Sequence, residues 1–391
     1  MFDPLLLNTE VQHFIRTYTD ELYRLIMAGS PFENISIQEL ASQIESRKKI
    51  EKKLPTWYST NNIIYPPKLN LEQTSSETTA EYKASLVGGK KLADITGGFG
   101  VDSYYFSSKF ESIHHFEINK DLSEIVRHNF KILEKDSIEC FARDGLQQVL
   151  KYEYDVIYAD PSRRHDSKGK VFFLEDCEPN IPDNLPKILR SCRTFLLKTS
   201  PMLDISQGLQ ELDNVVEIHI VAVENEVKEL LWLIKEGQNE SPLVKAVNLK
   251  KAGREEFSFK WGTNEAPEYA HPQNYLYEPN AAILKSGAFN IISEHYNVNK
   301  LNKNTHLYTS ETLIEFPGRS FLIEAVVPYS KSEIKKALTF KKANISIRNF
   351  PEAVEKLRKK WKIQDGGDKY LFFVTDVDDK KVMIISSKVA F

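Results

Sequence analysis

The sequence predicts an α/β fold: a mostly parallel sheet flanked by helices, preceded by a helical region and followed by a smaller α/β domain. Three observations carry this. Residues 92–102, Leu-Ala-Asp-Ile-Thr-Gly-Gly-Phe-Gly-Val-Asp, read as a short apolar strand, a glycine-rich turn and a helix start. Four more apolar strands follow at intervals that leave room for a helix or connection between them. Two final apolar runs, 215–223 and 229–235, are joined by the polar turn Glu224-Asn225-Glu226, which makes a hairpin.

Taken in order, residues 1–54 are helical, because Val11, Phe14, Ile15, Tyr18, Leu22, Leu25 and Ile26 keep a period near 3.6. Pro55 and Pro66-Pro67 break that structure. The basic run Arg47-Lys48-Lys49 with Lys52-Lys53 reads as a solvated helix face or as a nucleic-acid contact. Residues 73–86 open a helix with several Ser and Thr, among them Ser76, which serve either as caps or to close over a ligand. The first strand ends at Asp94. In the turn, Gly97, Gly98 and Gly100 permit unusual dihedrals and close ligand approach, and Asp102 either caps the next helix or meets the ligand. The second strand, 112–117, ends on Glu117, a carboxylate able to accept two hydrogen bonds from a ribose diol, beside Ile118. Asn119 or Asp121 then caps a helix whose Leu122, Ile125, Val126, Phe130 and Leu133 share one face. The third strand, 138–141, leads to Asp144-Gly145, where an acid suits an exocyclic adenine amine. The fourth, 155–159, ends in Asp160-Pro161-Ser162-Arg163-Arg164. The fifth, 194–197, runs into Lys198-Thr199-Ser200-Pro201.

Carboxylates at both ends of the glycine turn disfavour a pyrophosphate, since like charges repel, and the regular Gly-x-Gly-x-x-Gly spacing of dinucleotide sites is missing. A ligand with an ammonium and a sulfonium tolerates those acids. Residues 72–236 therefore resemble the class I S-adenosylmethionine (SAM)-dependent methyltransferases. The resemblance implies a Rossmann-like, seven-stranded sheet. It also implies a cofactor site of Ser76, Asp94, Thr96, Gly97, Gly98, Gly100, Asp102, Glu117, Ile118, Asp144, Gly145 and Asp160, with Asp160, Pro161, Ser162 and Arg163 at the catalytic position.

Beyond the sheet, residues 242–265 read as a hairpin, and 275–284 as a strand or loop feeding a helix capped by Asn280. Residues 320–391 alternate β-α-β-α-β-β. The chain of 391 residues carries a net charge of −3, yet Lys331–Lys362 holds eleven Lys or Arg against three Glu. Such local charge attracts polyanions, unless it is only the solvated face of a helix. Segments around Ser75-Ser76-Glu77, Tyr277-Glu278-Pro279-Asn280-Ala281 and Asn344-Ile345-Ser346-Ile347-Arg348-Asn349-Phe350-Pro351 resemble a bacterial methyltransferase family with a C-terminal THUMP-like domain. THUMP domains bind RNA in tRNA-modifying enzymes, so the resemblance implies tRNA or rRNA as partner, met by Arg164, Lys341, Lys342, Arg348, Lys359 and Lys360. The resulting division is 1–70 helical, 71–240 SAM-binding, 241–319 connecting α/β and 320–391 basic and THUMP-like.

The acceptor is expected to be a nitrogen of an RNA base, with Asp160 as orienting acceptor or base. Amino-group methyltransferases carry Asp/Asn-Pro-Pro-aromatic where this chain has Asp160-Pro161-Ser162-Arg163, without the second proline or the aromatic. Cysteine-dependent carbon methylation is disfavoured, because Cys192 precedes the fifth strand. Methylation of a small molecule or protein, or RNA binding without catalysis, are the alternatives. The nine His and three Cys show no metal-ligand spacing, no apolar run approaches the ~20 residues that span a bilayer, and the composition fits a cytoplasmic protein.

Overall fold

The computed structural model describes residues 2–163, 173–238 and 240–389. The chain divides into two compact units, residues 1–218 with 229–240 and residues 219–228 with 241–391.

The first unit opens with helices α1 (Thr9–Thr17), α2 (Leu22–Ala28), α3 (Ile37–Ile50), α4 (Pro55–Ser59), α5 (Lys68–Gln73) and α6 (Glu77–Ser85). Ser36 caps α3: its Oγ accepts from Glu39 N–H and donates to the Glu39 carboxylate. Arg47 departs from the expected solvated face. It is buried, its guanidinium 3.8 Å from the Tyr58 ring centroid, with Nη2 donating to the Tyr58 carbonyl. Lys48 and Lys49 remain exposed.

The strands of this unit are β1 (Gly89–Asp94), β2 (Phe110–Phe116), β3 (Ile138–Phe141), β4 (Tyr154–Ala159), the short pair β5 (Ser162–Arg163) and β6 (Cys177–Glu178), β7 (Cys192–Thr199), β8 (Val215–Val223) and β9 (Glu226–Ile234). The main sheet is ordered β8-β9-β7-β4-β1-β2-β3. β1 pairs parallel with β2 and β4, β4 parallel with β7, and β7 antiparallel with β9. Helices α7 (Val101–Phe106), α8 (Lys120–Ile132), α9 (Gly145–Val149), α10 (Ile181–Arg190) and α11 (Ile205–Glu211) connect the strands. Strands covered on both faces read as continuous apolar runs, and Val156–Ala159 and Phe195–Leu197 are buried accordingly.

The second unit contains the hairpin tip 219–228, β10 (Leu243–Lys250) and β11 (Gly253–Lys260). β10 and β11 pair beyond β8, so the hydrogen-bonded sheet counts nine strands where the sequence predicts seven. A second sheet is built from β12 (Tyr275–Pro279), β13 (Asn299–Lys300), β14 (Tyr308–Ser310), β15 (Gly318–Pro328), β16 (Asn344–Arg348), β17 (Lys369–Thr375) and β18 (Lys381–Val389), ordered β13-β14-β12-β15-β18-β17-β16. Helices α12 (Ala281–Ser286), α13 (Ile291–His295), α14 (Lys331–Ala337) and α15 (Val354–Trp361) complete it. Ile334 of α14 and Leu357 of α15 pack with Leu371, Phe373, Met383 and Ile385, while Phe372, Val374 and Ile384 face Leu276, Leu301 and Phe321 on the other side. The period of two along β17 separates the two layers.

Candidate active site

The site is built at the carboxyl ends of β1, β2, β3, β4 and β7, where open α/β sheets bind ligands. β1 buries Leu92 and Ala93 and delivers Asp94, 1% exposed. Asp94 Oδ1 accepts from Thr96 N–H at 3.2 Å and Oδ2 from the Ser103 hydroxyl at 2.7 Å, so one carboxylate fixes both the turn and α7. Burial pushes the Asp94 carboxyl up to about 7. The Ser103 and Thr96 hydrogen bonds oppose the shift, and the charges of Asp102 and Asp160 add to it.

The turn needs glycine for what lies beneath it. A Cβ on Gly97 would lie 2.3 Å from the His115 ring. One on Gly100, at φ +80°, would lie 2.5 Å from Phe130. Gly97 N–H donates to the Phe116 carbonyl, and Gly98 N–H donates to Glu117 Oε2 at 2.9 Å. Glu117 Oε1 accepts from Asn119 N–H, which leaves each Glu117 oxygen a further lone pair. Ile118 beside it is 67% exposed, an apolar side chain held in solvent. Asp144 caps α9, and a Cβ on Gly145 would lie 2.6 Å from the Ile95 backbone. At the end of β4, Asp160 N–H donates to Thr96 Oγ1 at 2.7 Å, tying that strand to the glycine turn. Pro161 is buried and Ser162 exposed, and the β5 backbone pairs with β6. Arg164 lies outside the described residues.

Two expectations change. Asp102 does not cap α7; Gly100 holds that position. Asp102 Oδ2 instead accepts from Ser75 at 2.9 Å and from the Tyr158 hydroxyl at 2.8 Å, and Oδ1 lies 3.0 Å from Lys83 Nζ. Ser76 takes the capping role at α6, accepting from Thr79 N–H, while its neighbour Ser75 enters the buried network. That network holds residues to which sequence reasoning gave no role: Lys83, Glu229 and Lys198. Lys83 Nζ lies 2.9 Å from Glu229 Oε2, and Lys198 Nζ donates to Asp160 Oδ2. The available signal was a charged residue against an apolar run, Glu229 before Leu-Leu-Trp-Leu-Ile and Lys198 after Phe-Leu-Leu.

In the second unit, Arg348 Nη2 donates to Glu278 Oε1 at 2.6 Å, and Arg319 pairs with the same buried carboxylate. Phe350 packs against Tyr329 and Phe373. Lys360 pairs with Glu352 at 2.9 Å. Lys341, Lys342 and Lys359 are exposed and carry no ion pair among the described residues.

Counting main-sheet strands alone, the order is 3-2-1-4-5-7-6, with an acid at the end of the first strand, one just beyond each of the second and the fourth, and one three residues beyond the third. Residues 275–317 match a family described as a ferredoxin-like domain, and residues 318–388 one described as THUMP domain-like. The whole chain is similar to a methyltransferase from Porphyromonas gingivalis W83: 32% identity, 100% of both chains covered, TM-score 0.90. This chain belongs to the class I SAM-dependent methyltransferases with a C-terminal THUMP-like domain. Other similarities cover only part of it. A methyltransferase from Streptococcus mutans in complex with S-adenosylhomocysteine is 13% identical over 40% of this chain and 96% of that one, TM-score 0.30. A tRNA m1G37 methyltransferase from M. jannaschii is 15% identical over 42% and 51%, TM-score 0.30. No curated protein matches.

The cofactor of this methyltransferase is SAM, and the donor set suits it: buried acids favour a cationic ligand, and Glu117 retains acceptor positions for a diol. A shallow cleft lined by Gly88, Gly89, Asp155, Arg193 and Lys235 lies at the amino ends of the strands, the wrong edge for this role. Among the described residues, no group of three His, Cys, Asp or Glu is placed to hold a metal, and no helix is long and apolar enough to cross a membrane.

Proposed function

We propose that this methyltransferase acts on RNA. The observation that carries the reading is the basic segment Lys331–Lys362, eight positive charges in excess within a chain of net −3. Its exposed Lys341, Lys342 and Lys359 are free to meet phosphates, whereas Arg348 and Lys360 are engaged within the protein. The THUMP-like match over 318–388 supports the same class of substrate.

In this reading Glu117 holds the ribose diol of SAM, Ile118 and Asp144 meet the adenine, and Asp94 with Thr96, Gly97, Gly98 and Gly100 shapes the turn below the methionine end. Ser76, Asp102 and Gly145 support these contacts from behind. SAM supplies a methyl group on a sulfonium. The protein aligns the acceptor and removes water, the two contributions an in-line displacement asks for. Asp160, Pro161, Ser162 and Arg163 border the acceptor position. For the base-nitrogen acceptor expected from sequence, Asp160 would orient an amine N–H through Oδ1, since Lys198 already donates to Oδ2.

The test is methyl transfer from labelled SAM by the full chain to total RNA from a strain lacking the gene. Label in one RNA species supports the reading. Label only in protein or small molecules replaces it with the corresponding alternative.

A further inference from the structure

Two lysines are buried at the methyl-transfer edge of the sheet. Lys83 of α6 is fully buried, with Ser75 Oγ at 2.8 Å, Asp102 Oδ1 at 3.0 Å and Glu229 Oε2 at 2.9 Å from its Nζ. Lys198, near the end of β7, has its side chain 14% exposed and donates to Asp160. Asp160 is in turn held by Thr96 of the glycine turn. Glu229 sits on β9 beside the end of β7, where Thr199 pairs with Leu230. Five elements, α6, α7, β9 and the ends of β4 and β7, thus bring two cations and three carboxylates to one place. Buried ion pairs are poor stabilisers, because desolvation cancels most of the attraction, and apolar residues of similar size often do as well. Their concentration at the acceptor end therefore calls for a chemical reason.

The reason lies in what an ammonium does to each kind of acceptor. A ring nitrogen facing Lys198 would have its lone pair drawn into a hydrogen bond and away from the methyl group. An exocyclic amine needs an acceptor for its N–H, and the Asp160 carboxylate that would supply it already shares its charge with the Lys198 ammonium, which makes it a weaker acceptor. A hydroxyl gains on both counts: it must lose a proton, and its oxygen becomes more negative as it does so.

We infer that Lys83, Asp160, Lys198 and Glu229 act together in methylation of a hydroxyl, and, on the reading that the substrate is RNA, that the acceptor is a ribose 2′-hydroxyl. The hydroxyl oxygen forms the O–CH3 bond with its lone pair while the S–CH3 bond breaks and its electron pair returns to sulfur. The hydroxyl proton is released to water as the bond forms, while the Lys198 ammonium holds the negative charge that develops on the oxygen. Burial alone would drive the proton from Lys198, but the carboxylates of Asp160, Glu229 and Asp102 outweigh it and hold the ammonium in the ligand-free protein. Asp160 aims Lys198. Lys83 is a positioning residue that fixes Glu229 and Asp102.

The experiment locates the methyl group. Full-length protein, labelled SAM and RNA from the deletion strain are combined, and the RNA is digested to nucleosides for mass spectrometry. Methyl on the sugar, with the base mass unchanged and the adjacent phosphodiester resistant to alkali, is expected. Methyl on a base overturns the inference and leaves the RNA reading standing. Label in no RNA overturns the RNA reading, and the ribose assignment with it. In parallel, Lys198→Met should lose about 100-fold or more in rate, the scale of a lost oxyanion donor, and the charge-keeping Lys198→Arg should retain part of that rate. Calorimetry should show SAM affinity within about threefold of wild type, because the lost interaction forms only in the transition state. Wild-type rates in both variants, or loss confined to SAM affinity, overturn the role of Lys198.

Discussion

Asp94 and His115 face each other across the β1–β2 register, and burial acts on them in opposite senses. It pushes the Asp94 carboxyl up to about 7 and the His115 imidazole down to about 4. For the acid, the unfolded chain releases its proton first, so stability is lost as pH rises from about 4 to 7. For the imidazole, the unfolded chain takes up a proton first, so stability is lost as pH falls from 6.5 to about 4. Each effect has a ceiling on the order of 3–4 kcal/mol at 1.36 kcal/mol per unit, and between pH 4 and 6.5 they oppose. Urea melts should therefore show Asp94→Asn gaining stability as pH rises and His115→Leu losing it, with wild type flatter than either. Parallel curves for all three would disprove the assignment. At Glu117 the expected effect is on the cofactor. Glu117→Ala removes a charged acceptor and strands the Gly98 N–H, so SAM affinity measured by calorimetry should fall by about 1–3 kcal/mol.

Among elements, the connection from β3 into α9 admits no side chain at Gly145, because the clash is with the Ile95 backbone, which has nowhere to go. Gly145→Ala should lower stability by about 1–3 kcal/mol, the cost of overpacking, and weaken SAM binding as the glycine turn shifts. A thermal melt matching wild type would contradict this. The basic elements of the second unit differ among themselves. Lys360 on α15 is held by Glu352, and Arg348 on β16 by Glu278, so neither is a prime phosphate contact. The exposed Lys341, Lys342 and Lys359 are better placed. Replacing all three with Ala should reduce the slope of log affinity against log salt by roughly 0.7 for each phosphate of single-stranded RNA that is no longer neutralised, and leave SAM affinity unchanged. Gel shifts over a salt series measure this, and an unaltered slope would remove these residues from the RNA surface.

For the whole molecule, the second sheet runs across residue 319: β12 pairs with β14 on one side and with β15 on the other. A chain ended before Gly318 would lose β15 to β18, four of seven strands, and expose Leu276, Leu301 and Leu307. Such a truncation should bind a hydrophobic dye and aggregate through the unpaired edge of β12. Loss of RNA binding on deleting 320–391 would then report misfolding, and charge substitutions are the sound test. A soluble, monodisperse truncation with no dye binding would show that β12–β14 stand alone.

What the sequence determined is what short-range rules govern. Turn glycines, apolar runs and caps placed every main-sheet strand within a few residues, and with them Asp94, Glu117, Asp144 and Asp160 at or just after the strand ends, because alternation and turn chemistry act over a handful of neighbours. Residues 320–391 were legible for the same reason, from β15 through β18. Tertiary structure decided the pairings between residues far apart in the chain. Lys83 meets Glu229 across 146 positions and Arg348 meets Glu278 across 70, and no periodicity encodes either. Asp102, one residue into a helix, has the local signature of a cap, yet the cost of burying Lys83 draws it into an ion pair. Arg47 looks solvated from its basic neighbours, but only packing reveals Tyr58 beneath it. The glycine turn and the acids that follow the strands are thus written locally, while the buried charge network exists only once distant segments fold together.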